Sequence, residues 1–352
     1  MSLLSRFKSL FPARASGPTE ESPQDANATE SGAWHEELLR NMAAVAVLAI
    51  LALLMLASLV VSNEPGLFDV REQHQEHMQE LSRSPVPGSL TTTTIIRVAS
   101  TLLEKAGGYL SNDVMPPGVW VDNMPNWEFG VLVQLRDITK VMRENFSRSQ
   151  SQSAEDPDLI LAEPGFNFPN DSWIFPASES QYREAINAME SYLLRLSNPQ
   201  RPEAQSFTRA DNLNAWLGNV ESRLGSLSQR LGASVARPLS TDAPNERSGP
   251  RQTAWHQRDD IFYEARGATW ALLHLLRAIQ GDFADVIANK NAQASVEQII
   301  RELEATQSFM FSPIILNGDG FGLMANHSLV MASYISRANA AIIDLRVLLQ
   351  QG

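Results

Sequence analysis

The chain has 352 residues, 43% hydrophobic and 19% charged, which excludes a wholly disordered or collagen-like protein and gives length for about two domains. Its formal net charge of −12 argues against nucleic acid as a partner, because phosphate recognition requires a basic face. The absence of cysteine excludes disulfides, thiolate metal sites and cysteine nucleophiles together.

Residues 1–41 read as a mostly disordered tail. Its opening, MSLLSRFKSLF, is basic and apolar in the manner of a segment that touches anionic lipid. Residues 12–31 are rich in Pro, Ser, Glu, Asn and Gly and bury too little apolar surface to order themselves. Residues 42–61, MAAVAVLAILALLMLASLVV, start at Met42, end at Val61 and carry no charge. A helix of that length spans about 30 Å, the hydrocarbon core of a bilayer. The alternatives are a buried core helix or a cleaved signal peptide. The 41-residue tail ahead of the segment and the missing small-x-small site in SLVVSNEP argue against cleavage. The partner of this segment is therefore expected to be the lipid bilayer. Arg6, Lys8, Arg14 and Arg40 precede it, whereas only Arg71 lies in the next 20 residues. That asymmetry favours a cytoplasmic N-terminus and an exported C-terminal part.

Residues 62–88 read as a stalk helix and linker, the polar run FDVREQHQEHMQELSR continuing the anchor until Pro85 and Pro87. Residues 89–235 read as a helical region with aromatic loops. Ile95, Val98 and Leu102 fall at helical spacing, and Gly107-Gly108 stops that helix. Asn126 is placed to cap a helix with Val131, Leu135, Ile138, Met142 and Phe146 on one face, and Ser178 to cap another bearing Tyr182, Ile186, Met189 and Leu193. The connections 107–125 and 147–177 are long for a bundle. In the second, SRSQSQSAEDPD is expected to move, whereas EPGFNFPNDSWIFP carries Phe166, Phe168, Trp173 and Phe175 and is expected to pack across the bundle. Residues 203–233 make the most regular helix, with an a/d seam of Ala210, Leu213, Leu217, Val220, Leu224, Leu227 and Leu231. Gly218, Gly225 and Gly232 recur every seven residues along it and suggest close approach of a neighbouring helix backbone. Residues 236–252 read as a polar linker, and 253–352 as C-terminal helices on the same bundle. No alternating β-branched run is long enough for a sheet. The expected fold is all-α: one transmembrane helix, then a multi-helix, bundle-like soluble domain with long ordered loops.

The stretches LTTTTIIRVASTLLEKAGGYLSNDVMPPGVWVDNMPNWEFGVLVQLRD, FSRSQSQSAEDPDL and ADNLNAWLGNVESRLGSLSQRL resemble domain-of-unknown-function family 2333. The resemblance covers nearly all of the chain after the apolar segment. It implies a single-pass inner-membrane protein of Gram-negative bacteria with no assigned activity and no catalytic residues to carry over; taken with the charge asymmetry, the C-terminal domain is expected in the periplasm.

The search for chemistry assigns no catalytic residue, cofactor or metal. GDGFG at 318–322 lacks the spacing and Lys-Ser/Thr of a phosphate loop, and NGDG lacks the acidic ligands of a calcium loop. His74 and His77, with Glu72, Glu76 and Glu80, share one polar helix and have metal-ligand spacing, but a solvated face accounts for them. Asp259, Asp260 and Glu264 near His256 lack the second E-x-x-H helix of a di-iron set.

The densest polar–aromatic block is Trp120, Asp122, Asn123, Asn126, Trp127 and Glu128. Amides beside flat aromatic rings suit a partner- or ligand-binding surface, and Trp120, Asp122, Asn123, Asn126 and Trp127 are the candidates. The competing account is a structured loop whose tryptophans plug the bundle. Trp127 opens a helix and is the more structural of the pair; Trp120 is the better contact. The functional expectation is a membrane-anchored scaffold or protein-interaction module, with a protein partner or self-association through the seam. The alternative is a hydrolase or lyase acting on envelope glycan through acids such as Asp122 and Glu128, which requires two carboxylates placed across a cleft.

Overall fold

The computed structural model describes residues 23–116, 118–149, 153–200, 203–233, 257–310, 315–318 and 325–351. The opening MSLLSRFKSLF, the linker 236–252 and most of GDGFG lie outside the described residues. The chain divides into two compact units, the first ending at Met55 and the second beginning at Leu56.

Helix α1 (Pro23–Val61) contains the apolar segment. Its stretch Glu37–Val61 is long and apolar enough to cross a membrane. Leu48, Leu53, Met55 and Leu59 are each more than half exposed, which a buried core helix does not allow. The helix also reaches back to Pro23, into sequence expected to be disordered. Proline is tolerated at a first helical position, and the Ala, Glu and Leu residues that follow are good helix formers.

In the second unit the regular elements among the described residues are all helices, with no strand beyond a single bridge between Asn317 and Asn326. Helix α2 (Val70–Glu80) opens at Asp69, whose carboxylate accepts from the Arg71 and Glu72 amides. It corrects the stalk expectation. The chain between Val61 and α2 is not helical, and Val70, His74 and Met78 form a buried i, i+4 stripe against the domain. A histidine in that stripe makes the helix read as polar. Helix α3 (Ser89–Glu104) follows Gly88, whose positive φ and contact with Ser206 require glycine.

Helix α4 (Asn123–Val141) begins three residues before the expected cap and ends in a π-helical turn, Met142–Phe146. Asn126 therefore lies inside the first turn, its side chain donating to the Asp122 carbonyl and the Asp260 carboxylate. Helix α5 (Pro157–Asn167) occupies sequence expected to be a loop. Asp156 caps it, Pro157 starts it, and Arg195 grips both Asp156 and Asp158 at 2.5 Å, docking it on α6 (Ser178–Leu196).

Helix α7 (Ala210–Ala233) buries the predicted leucine seam, and α11 (His327–Gln350) covers it. The seam is thus used internally. Its glycines do not meet a backbone: the nearest atoms to Gly218 and Gly225 belong to the Arg346 and Asn339 side chains, and Gly232 faces open space. Helix α8 (Arg258–Asp282) runs through the core, buried at most positions between Phe262 and Ile279, and packs on α2, α3, α4, α7 and α10 (Gln293–Thr306). A short α9 (Ala284–Asn289) follows it directly after Phe283. Helix α4 crosses α8 with their backbones pressed together. A Cβ at Gly130 would lie 2.1 Å from the Glu264 carbonyl oxygen.

Candidate interaction surface at the start of the helical unit

The chain enters the second unit through residues 62–69, an extended segment laid along α8. Arg266 holds the Glu64 carboxylate through Nε (2.8 Å) and Nη2 (2.6 Å) and donates its remaining nitrogen to the Thr306 and Ser308 carbonyls. Trp270 Nε1 donates to the Gly66 carbonyl, 3.2 Å. The Phe68 amide donates to His274 Nε2 at 3.1 Å, while the rings of Phe68 and His274 stack with centroids 3.9 Å apart. Beside this clamp is a cleft of about 380 Å³ lined by Glu64, Gly66, Tyr263, Arg266, Trp270 and Phe309. Nothing in the sequence pattern marks Glu64, Phe68 or His274, because their partners lie about 200 residues away.

The aromatic block splits in two. Trp127 is fully buried and packs against Trp270, with ring centroids 5.1 Å apart. As a surface candidate it is thus corrected to a core residue. Glu128 is also fully buried. Its carboxylate accepts from the Leu110 and Ser111 amides (2.9 and 2.8 Å) and the Ser111 hydroxyl, and pairs with Lys105 at 2.5 Å. Burial pushes its pKa up, and Lys105, Ser111 and Leu110 oppose that shift. A carboxylate so enclosed does not face Asp122, which is exposed, across a cleft. Asn123 and Asn126 are partly buried in the first turn of α4.

Trp120 is the member that faces outward. It ends a short 3₁₀ turn (Gly118–Trp120) and is 55% exposed, as its neighbour Val119 is at 54%. Val114 and Met115, earlier in the same loop, are more exposed still. This loop is tied to the connection between α5 and α6. Asn112 Nδ2 donates to the Ser172 carbonyl (2.8 Å) and to Glu179 (2.7 Å), and the Tyr109 hydroxyl donates to the Asn170 carbonyl. That second loop also departs from expectation. Phe166 is buried, but Trp173, Ile174 and Phe175 project outward, Phe175 with 98% of its surface exposed. The run WIF marks the segment as apolar but carries no signal of which way it faces.

The histidines of α2 act separately. His74 is buried between the Thr93 and Ser89 hydroxyls, and burial lowers its pKa. His77 meets Glu190 at 3.0 Å, which raises its pKa. Glu264 is taken by Arg230, and Asp260 accepts from Asn126. Among the described residues no three His, Asp or Glu side chains converge as metal ligands.

No curated protein and no solved structure matches the chain. One family model does, DUF2333, described as an uncharacterized protein conserved in bacteria, and its match over residues 33–352 takes in both the apolar helix and the helical unit. The chain belongs to domain-of-unknown-function family 2333.

Proposed function

We propose that this protein is a non-enzymatic scaffold of the bacterial inner membrane, anchored by α1 with its N-terminus in the cytoplasm. The helical unit then stands on the periplasmic side and makes its contact through the Trp120 loop and its neighbour, with Asp122, Asn123 and Asn126 at the margin. The observation that carries this reading is the outward projection of Trp120, Trp173 and Phe175 from two loops that Asn112 fastens together. Surface aromatics held on a fixed frame are contact groups rather than core plugs. The basic residues Arg6, Lys8, Arg14 and Arg40 support the orientation.

Trp120→Ala tests the surface. It is expected to leave the thermal melt of the detergent-solubilised protein unchanged while failing to complement a deletion strain in trans. Trp127→Ala is the contrast: loss of a buried tryptophan costs about 3–5 kcal/mol and lowers the melt itself. A Trp120→Ala protein that complements fully overturns the contact reading. For orientation, alkaline phosphatase fused after Gly352 is expected to be active, and an inactive fusion reverses the topology.

A further inference from the structure

The geometry points to the bilayer surface as the occupant of the Trp120 and Trp173 loops; this rests on the contact-surface reading above and names what that surface meets. Three relationships within the helical unit place both loops at the end where the apolar helix enters it. Val61, the last residue of α1, is buried, and a Cβ on Gly107 would lie 2.7 Å from its side chain, so the loop leading to Trp120 starts beside the end of the apolar segment. The entry segment then follows α8 in step, Glu64 with Arg266, Gly66 with Trp270 and Phe68 with His274. Extrapolated backwards, that register makes the N-terminal end of α8 the end nearest Val61. Finally, Asn126 bonds Asp260 while Gly130 abuts Glu264, so α4 runs in the same direction as α8 and starts at the same end. Trp120 immediately precedes α4, and Asn112 brings the Trp173 loop alongside.

The side chains displayed there suit the lipid interface. Val114, Met115, Val119 and Trp120 are each more than half exposed, as are Trp173, Ile174 and Phe175. Indole rings favour the headgroup boundary because the ring is apolar and its N–H stays wet. Charged neighbours in the two loops are acidic, Asp113, Asp122 and Asp171. Attraction to anionic headgroups therefore does not drive the contact. It is apolar, and it survives raised salt.

Because the chain contains no cysteine, Trp120→Cys and Phe175→Cys each give a unique site for an environment-sensitive fluorophore on the full-length protein. The protein is reconstituted into phosphatidylethanolamine–phosphatidylglycerol vesicles, with and without lipid bearing a shallow nitroxide quencher. Leu194→Cys is the control, since it lies about 24 Å of helix beyond Ser178 along α6. Labelled proteins are compared only where their thermal melts match the parent. Quenching at 120 and 175 is expected to exceed that at 194 several-fold and to persist in raised salt. Equal quenching at all three positions overturns the proposal. In native membrane vesicles, a dehydrated label at 120 that lipid nitroxide fails to quench puts a protein there. That result overturns the lipid assignment and leaves the contact surface standing. Fully hydrated emission in both kinds of membrane removes both readings.

Discussion

Gly267 and Trp127 meet at the crossing of α4 and α8 so closely that a methyl group on Gly267 would stand 1.9 Å from the Trp127 carbonyl oxygen. Both clashing groups are helix backbone, which has no rotamer to yield. Gly267→Ala is therefore expected to cost about 3 kcal/mol, near the top of the overpacking range. At 2–4 °C per kcal/mol this lowers Tm by roughly 6–12 °C. Gly225→Ala is the opposite case, because its added methyl would lie 3.6 Å from the end of Asn339. It is expected to hold or raise Tm, since alanine in a helix is favoured by about 0.5–1 kcal/mol over glycine. Differential scanning calorimetry of the two variants decides it; equal Tm values would contradict the crossing geometry.

The same contrast shows what was legible in the sequence. Helices α3, α4, α6 and α7 were readable because their buried residues recur at three- and four-residue steps, and the apolar stretch of α1 because it is unbroken. The seven-residue glycine repeat in α7 carried a pattern without a pressed backbone, whereas Gly130 and Gly267 carry the contact with no repeat. Helix α5 was missed because Pro157 and Pro164 look like loop residues, although one starts the helix. Of the candidate site, Trp120 is exposed and Trp127 is buried, so only one of the two candidate rings faces outward. The exposed Trp173 and Phe175 were misjudged because composition shows that a segment is apolar but not which way it faces.

Lys105 and Glu128 form a buried pair, 3% and 0% accessible, that fixes the loop after α3. Lys105→Met leaves Glu128 enclosed without its counter-charge and is expected to cost about 3–5 kcal/mol. Adding Glu128→Gln should recover much of that loss, since the amide oxygen still accepts from the loop. A double-mutant cycle of chemical denaturation checks it, and simple additivity would deny the coupling.

Stability should also depend on pH through two histidines of opposite sign. His274 Nδ1–H donates to the Trp270 carbonyl and Nε2 accepts from Phe68, so the folded protein holds the neutral ring. Burial pulls its pKa from 6.5 to about 4. Below 6.5 the unfolded chain takes a proton that the folded one refuses. Stability therefore falls as pH drops from 6.5 towards 4, by about 3 kcal/mol in all. His77 is raised by Glu190, so its contribution is full below 6.5 and fades as pH climbs through the raised value. Urea midpoints across this range are expected to show a shallower acid-side slope in His274→Gln, His74 and His327 keeping the remainder, and to lose their decline above 6.5 in His77→Gln.

Arg266→Gln is expected to release the entry segment. Glu64 loses its ion pair, and the Thr306 and Ser308 carbonyls lose a donor. Hydrogen exchange of the Phe68 amide, which donates to His274, should accelerate about tenfold or more, with α7 and α11 unaffected. Unchanged exchange would mean that the Trp270 and His274 bonds suffice.

That clamp governs reach. Eight residues of free chain have an r.m.s. span of roughly 14–17 Å and extend to about 26–29 Å, enough slack for a tethered module to sweep for ligands well above a surface. Residues 62–69 keep none of that slack, because their carboxylate, carbonyl and amide groups are spent on α8. Within the helical unit, a pull on the chain at Val61 therefore passes through Glu64, Gly66 and Phe68 to Arg266, Trp270 and His274 instead of being absorbed by a loose leash.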